Sequence, residues 1–266
     1  MSRTSTALDE HLLHPRRLIT LEAVHNFRDL GGYPADRDGE RTTTRWNVLY
    51  RADGLYRLTP ADLEIVRALG LRTVVDLRSH AEIAEHGTFP HDRCAVDFAH
   101  FPVIDSTWQA ADLDAAGSDL AFLVWAYRSM LVEGAARFAA AFEQLARPGA
   151  LPAVFHCAAG KDRTGILAAL VLGSIGVPRE WILGDYALTA SGMERMRDWA
   201  GREFPEMAGR MRDTPSAFLL ALPEAMDELL DGIVAEHGSI RDYVRSIGVS
   251  DGAVDALSSA LLEPRD

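Results

Sequence analysis

The residues best suited to chemistry lie in one run, His156-Cys157-Ala158-Ala159-Gly160-Lys161-Asp162-Arg163-Thr164-Gly165. A cysteine and an arginine bracket five residues in it. Converging backbone N–H groups of a tight loop can hold an anion. The planar fork of an arginine matches two oxygens of a phosphoryl group. The same positive surroundings favour a thiolate, the nucleophilic form of cysteine. Cys157 is therefore expected to attack phosphorus and form a thiophosphate intermediate, which splits one hard displacement into two easier ones. Arg163 is expected to bind the phosphoryl oxygens and the transition state, within a cradle of N–H groups from Ala158, Ala159, Gly160, Lys161, Asp162 and Arg163. Asp162 is the candidate acid for the leaving oxygen and then the base for water. Thr164 is expected to donate its hydroxyl to the sulfur. Lys161 would add a mobile charge at the mouth, and His156 would brace the loop.

The elements that must hold this run can be read on either side of it. Ala153-Val154-Phe155 reads as a buried strand, and 166–172 as a buried helix. The N-terminus of that helix adds unpaired N–H donors and the positive end of its dipole. Upstream, 47–51 is a β-rich run. Thr59 is an N-cap before Pro60, and the helix they open carries Leu63, Val66 and Leu69 and stops at Gly70. Strands are expected at 73–77 and 99–103. This alternation describes an α/β sheet flanked by helices. Residues 105–117 read as a loop, and 119–146 as one long helical stretch with a break near Gly134. Beyond Val177 nearly everything reads as helix: 178–188, 192–204, 215–236, 239–247 and 251–262. The stretch 190–222 interleaves Met193, Met196, Met207 and Met211 with arginines. It reads as an elaboration on the core, in its plainest form a helical subdomain with methionine as gap-filler.

Cys-x5-Arg-[Ser/Thr] is the signature of cysteine-dependent phosphatases, and the fuller run resembles that of the PtpB-like bacterial tyrosine phosphatases. Three further segments resemble the same family in the same order: His25-Asn26-Phe27-Arg28-Asp29-Leu30-Gly31-Gly32-Tyr33, Leu49-Tyr50-Arg51-Ala52-Asp53, and Val74-Val75-Asp76-Leu77-Arg78 with Glu82. The resemblance implies a three-layer α/β phosphatase fold with a helical lid-like elaboration at about 190–222. It also implies a Cys-Arg mechanism that uses no metal and no cofactor. Its substrates are phosphotyrosine, phosphoserine or phosphothreonine proteins, or phosphoinositides. The loop Lys-Asp pair is associated with the broad or lipid-active members, and the general acid is placed at the loop aspartate, here Asp162.

Length and composition allow one phosphatase domain, expected at 21–266, after an N-terminal extension at 1–20 that reads as loosely packed. The net charge of −12 argues against nucleic acid and against general adhesion to anionic membranes. No apolar run is long enough to span a bilayer. No leader is visible, so the cytoplasm is expected, with export without a visible signal left open. The oligomeric state is not legible. The two cysteines make no disulfide framework, and Cys94 reads as a loop or core thiol. A nucleotide-binding loop is excluded, because Phe155 stands where a glycine is needed and Asp162 follows Lys161. Asp76, Arg78 and Glu82 read equally as a pocket rim or as a buried brace, and Asp29 and Asp53 share that ambiguity. His11 and His14 read as surface residues, and Trp125 and Tyr127 as packing residues. A phospho-binding module without turnover is the competing reading. A thiol oxidoreductase is disfavoured by the lack of a Cys-x-x-Cys pair.

Overall fold

The computed structural model describes residues 11–37, 39–105, 113 and 115–265. The first part of the chain forms β1 (Arg28–Asp29), β2 (Pro34–Arg37), β3 (Glu40–Thr44), β4 (Leu49–Ala52), α1 (Pro60–Ala68), β5 (Thr73–Asp76), α2 (His80–His86) and β6 (Asp97–His100). It continues with α3 (Asp119–Glu133), α4 (Ala135–Ala146), β7 (Ala153–His156) and α5 (Asp162–Ser174). The remainder is α6 (Arg179–Ala187), α7 (Thr189–Glu203), α8 (Pro205–Asp213), α9 (Ser216–Leu219), α10 (Pro223–His237), α11 (Ile240–Ser246), α12 (Asp251–Leu261) and β8 (Leu262–Pro264).

The main sheet has the order β1-β4-β7-β5-β6, with β7 at its centre. β7 runs parallel to β4 and to β5, so Val154 lies between Tyr50 and Val74, and His156 between Ala52 and Asp76. All four residues of β7 are buried. That is the continuous burial expected of a parallel strand covered on both faces. Alternation then divides the side chains. Ala153 and Phe155 join the larger core cluster, with residues of α3, α4 and α5. Val154 joins the smaller one, with Leu63 and Val66 of α1. The α/β layering expected from the sequence is therefore the observed one.

Local chemistry sets most boundaries. Thr59 and Asp62 form a reciprocal capping box ahead of α1, with Pro60 in the first turn. The expected break at Gly134 separates α3 from α4, and a Cβ there would lie 2.6 Å from Cγ1 of Val103. The strand expected at 99–103 is β6, two residues earlier, because it pairs in register with β5 from Thr73↔Asp97 to Asp76↔His100. The helix expected across 215–236 is two helices. Pro223 lacks an N–H and disfavours a helical residue before it, and Leu222 is extended at φ −92, ψ 108. The antiparallel sheet β2-β3-β8 was not expected. Its strands, Pro-Ala-Asp-Arg, Glu-Arg-Thr-Thr-Thr and Leu-Glu-Pro, carry no apolar alternation, and the register comes from tertiary pairing. Residues 106–112 and 114, most of the loop expected at 105–117, lie outside the described residues, as do 1–10 of the expected extension. In the rest of that extension Leu12 and Arg17 are buried while most other residues are exposed, and Arg17 donates to the carbonyls of Asp29 (2.8 Å) and Gly31 (2.9 Å). Among the described residues no helix is long and apolar enough to cross a membrane.

Candidate active site

β7 ends at His156, Cys157 follows at the carboxyl edge of the parallel strands, and α5 opens at Asp162. Ligands of open α/β sheets bind at that edge. The Cys157 side chain is buried. Gly160 adopts φ +64, and a Cβ there would lie 2.5 Å from the carbonyl oxygen of Ala52. Only glycine accommodates both the dihedral and the approach of β4.

The loop's carbonyls are held on its outer side. Gly54 N–H donates to the Ala158 oxygen at 3.0 Å. The Asn26 side-chain amide donates to the Ala159 oxygen at 3.1 Å and to the Gly160 oxygen at 3.0 Å. Arg51 Nη2 donates to the Gly160 oxygen at 2.8 Å. The N–H and C=O of a trans peptide point in opposite directions. The amides of Ala159, Gly160 and Lys161 therefore face the inner side of the loop. Neither they nor the Asp162 amide has a protein acceptor among the described residues. Such amides at a helix N-terminus can hold an anion.

Arg163 lies in the first turn of α5, and its guanidinium meets Glu82 through two bonds, Nη1–Oε2 at 2.6 Å and Nη2–Oε1 at 2.9 Å. Glu82 is itself positioned by a capping box, accepting from Ser79 N–H while its own N–H donates to Ser79 Oγ. Burial alone would raise the Glu82 carboxyl. The hydrogen bonds and charge of Arg163 outweigh burial and hold Glu82 below the usual carboxylate range. Burial likewise opposes the charge of Arg163, but Glu82 and then Cys157 more than offset it, so the guanidinium is held more firmly protonated than usual. The pairing is end-on and leaves the Nε edge of the fork for a phosphoryl group.

Asp162 is partly exposed and accepts from Tyr127 Oη at 2.6 Å. Tyr127 also meets Tyr186 Oη at 2.5 Å. Burial, and then the Asp162 charge, push the Tyr127 hydroxyl well above its usual value, so it stays a donor. Lys161 departs from expectation. Its side chain is buried, and Nζ donates to the carbonyls of Ala217 (2.9 Å), Phe218 (3.0 Å) and Leu220 (2.9 Å), with Asp162 Oδ1 at 3.4 Å. It is a fixed link between loop and elaboration, because the last carbonyls of α9 need donors. Thr164 is buried, and its hydroxyl has no partner among the described residues, so the expected bond to sulfur is not formed.

His156 Nδ1 lies 3.2 Å from the carbonyl oxygen of the adjoining Cys157, while Nε2, 3.5 Å from Asp76 Oδ2, makes no hydrogen bond among the described residues. Burial lowers its affinity for a proton despite Asp76. Asp76 and Arg78 form a fully buried brace rather than a rim. Asp53 is also structural, accepting from the N–H groups of His25 and Asn26 and from Arg57. Asp29 accepts from the N–H groups of Gly31 and Asn47, each at 2.7 Å. Among the described residues no three His, Cys, Asp or Glu side chains gather as a metal set.

Three contributors were missed. Tyr127 was read as packing only. Asn26 stood in a recognised segment without a role. Asp185 gave no signal, because its partners Arg28 and Arg51 lie more than a hundred residues away. Helices α7 and α8 flank a groove of about 1120 Å³ lined by Tyr56, Arg57, His86, Trp199, Phe204 and Met211, among others. Met193 and Met196 are buried in the α7 contact, as gap-filling methionines are.

The sequence profile described as the tyrosine phosphatase family matches residues 19–263. A tyrosine-protein phosphatase of Nostoc commune is 29% identical, with 81% of this chain and 74% of that one covered. The triple specificity protein phosphatase PtpB of Mycobacterium tuberculosis is 28% identical, with 91% of this chain and 98% of that one covered. A Cupriavidus necator protein is 31% identical, with 86% of this chain and 84% of that one covered.

Proposed function

The chain belongs to the tyrosine phosphatase family, and from that premise we propose that it hydrolyses phosphomonoesters of proteins through a phosphocysteine intermediate on Cys157. The observation that carries this reading is the loop: a buried cysteine beside four amides without protein acceptors, with Arg163 in the first turn of the following helix. The thiolate of Cys157 attacks phosphorus as the P–O bond to the leaving group breaks, and Asp162 gives that oxygen its proton. Water then attacks phosphorus, Asp162 takes the water's proton, and the S–P bond breaks to restore the thiolate and release phosphate. Arg163 and the loop amides stabilise the equatorial oxygens, which carry most of the charge in the transition state. Tyr127 occupies Oδ1 of Asp162, which leaves Oδ2 for proton transfer.

Phosphotyrosine is the first substrate of this proposal, with phosphoserine and phosphothreonine after it. The name of the Mycobacterium tuberculosis relative, a triple specificity phosphatase, supports such breadth. Phosphoinositides are the second reading. The commitment of Lys161 to three carbonyls disfavours it, because that cation is then not aimed at a further phosphate. Phosphate release from a phosphotyrosine peptide, a phosphothreonine peptide and a phosphoinositide panel, wild type beside Cys157→Ser, tests the proposal. Release lost in the variant supports the mechanism, and the ranking assigns the substrate. A folded wild type that binds the peptides without turnover would overturn it in favour of a phospho-binding module. Near-normal turnover in Asp162→Asn, with an unchanged pH profile, would move the acid role elsewhere.

A further inference from the structure

Gly160 gives the loop its turn and also a hazard. A glycine peptide rotates easily, and a flip on either side of it would replace an inward N–H with a carbonyl oxygen that repels phosphate. Both flanking carbonyls are pinned from outside. Asn26 Nδ2 holds the Ala159 and Gly160 oxygens, and Arg51 Nη2 holds the Gly160 oxygen again. The two pins share a root. Asp185 is fully buried on α6, and its Oδ2 accepts from Arg51 Nη1 at 2.5 Å. Its Oδ1 accepts from Arg28 Nε at 2.9 Å and from Tyr33 Oη at 2.9 Å. Arg28 in turn donates through Nη1 to Asn26 Oδ1, which orients the Asn26 amide so that Nδ2 faces the loop. Arg28 Nη2 further donates to the Asp185 carbonyl and to Thr189 Oγ1 at the start of α7.

We propose that Asp185, Arg28, Arg51 and Asn26 form a two-armed clamp whose task is to fix the phosphate loop with its amides inward. One arm is Asp185–Arg51–Gly160. The other is Asp185–Arg28–Asn26–Ala159/Gly160. These are positioning residues: none touches the reacting atoms, and each acts through the loop peptides. A clamp of this kind serves charge rather than shape. Carbonyls left free would reorient toward solvent or the pocket, and anion affinity would fall before the fold does. The inference rests on the assignment of the loop as the phosphoryl site.

The test uses tungstate as an oxyanion probe, followed by calorimetry, beside phosphotyrosine-peptide turnover and thermal unfolding. Asn26→Asp keeps the size of the side chain and the acceptor for Arg28 but replaces the donor to the loop with an acceptor. Asp185→Asn keeps shape and removes the charge that gathers both arginines. A core substitution that touches neither the clamp nor its hydrogen bonds, Leu229→Ala on α10, provides a control with a comparable fall in Tm. The expected result is a tungstate Kd raised roughly tenfold or more in Asn26→Asp and Asp185→Asn, with kcat/KM falling at least as far and wild-type affinity kept in Leu229→Ala. A folded Asn26→Asp protein with wild-type tungstate affinity would overturn the clamp, as would an equal loss of affinity in Leu229→Ala. Should Asp185→Asn fail to fold, Asn26→Asp decides alone. A wild type that neither binds tungstate nor turns over peptide would instead sink the phosphoryl-site assignment.

Discussion

Glu82 and Arg163 stand 81 residues apart in the chain and meet through two parallel hydrogen bonds of 2.6 and 2.9 Å. The pair is mostly buried, with side chains 15% and 8% exposed. A capping box fixes the carboxylate, and the carboxylate fixes the guanidinium plane, so on the proposed mechanism the Nε edge is oriented before substrate arrives. Glu82→Gln keeps the size and the Ser79 contact but loses the charge and one prong. The expected outcome is a fall in kcat/KM of roughly tenfold, about 1.4 kcal/mol of transition-state stabilisation, together with a small loss in a urea melt. Unchanged kinetics would mean that Arg163 is oriented by something other than Glu82.

Gly160 allows a sharper test, because its replacement meets backbone. With φ at +64 and the Ala52 oxygen 2.5 Å from a built Cβ, Gly160→Ala must move either the loop or the adjoining strand β4. Strain of this kind amounts to about 1–3 kcal/mol. Turnover should fall far more than stability, since the displaced peptide is the one Asn26 and Arg51 hold. Phosphate release and a thermal melt on one preparation check this. A Gly160→Ala protein with near-normal turnover would show that the loop tolerates another course.

Lys161 ties the loop to α9 and its C-terminal end through three carbonyls. Hydrogen bonds to charged groups contribute about 1.5–3 kcal/mol each in favourable cases, so losing three of them should be felt first in α9. Lys161→Met should therefore accelerate amide exchange across 216–222 by roughly tenfold or more while leaving exchange in α5 unchanged. Uniform acceleration across both segments would indicate general destabilisation rather than release of a link.

Where the fold followed from short-range chemistry, it could be read in advance. Ala153-Val154-Phe155 announced the central strand, Thr59-Pro60 the start of α1, and Gly134 the break between α3 and α4. The places of Cys157 and Arg163, at the strand end and in the first turn of α5, were legible because consecutive residues encode the strand, loop and helix. Lys161 shows the limit of that reading. Its position in the motif suggested a charge at the mouth, but its direction is set by carbonyls at 217–220, to which no local pattern pointed. Asn26, Tyr127 and Asp185 share this origin: each acts through a partner at least 35 residues away. Pro223 was visible in the chain, and its consequence for the preceding leucines follows from sterics alone. That error was one of reading rather than of information.

Acid stability offers a check on the buried network at Asp185. Burial would favour the protonated carboxyl, but Arg28 and Arg51 outweigh it and hold Asp185 well below the usual carboxylate range. In the unfolded chain the same group takes up its proton near pH 4. The unfolded state therefore binds the proton first. The stabilisation from this group is complete above about pH 4 and is lost progressively as pH falls toward the folded value. Wild-type stability in urea should decline steeply below about pH 4. Asp185→Asn carries no titrating group there, so its decline should be shallower, though Asp76 and Glu82, also held below the usual range, keep it from being flat. At neutral pH the variant leaves two buried guanidiniums without their anion, a loss of about 3–5 kcal/mol. The two curves should therefore approach each other as the solution is acidified. Parallel curves would mean that Asp185 does not release its proton on folding, and the two arginines would then need another counter-charge.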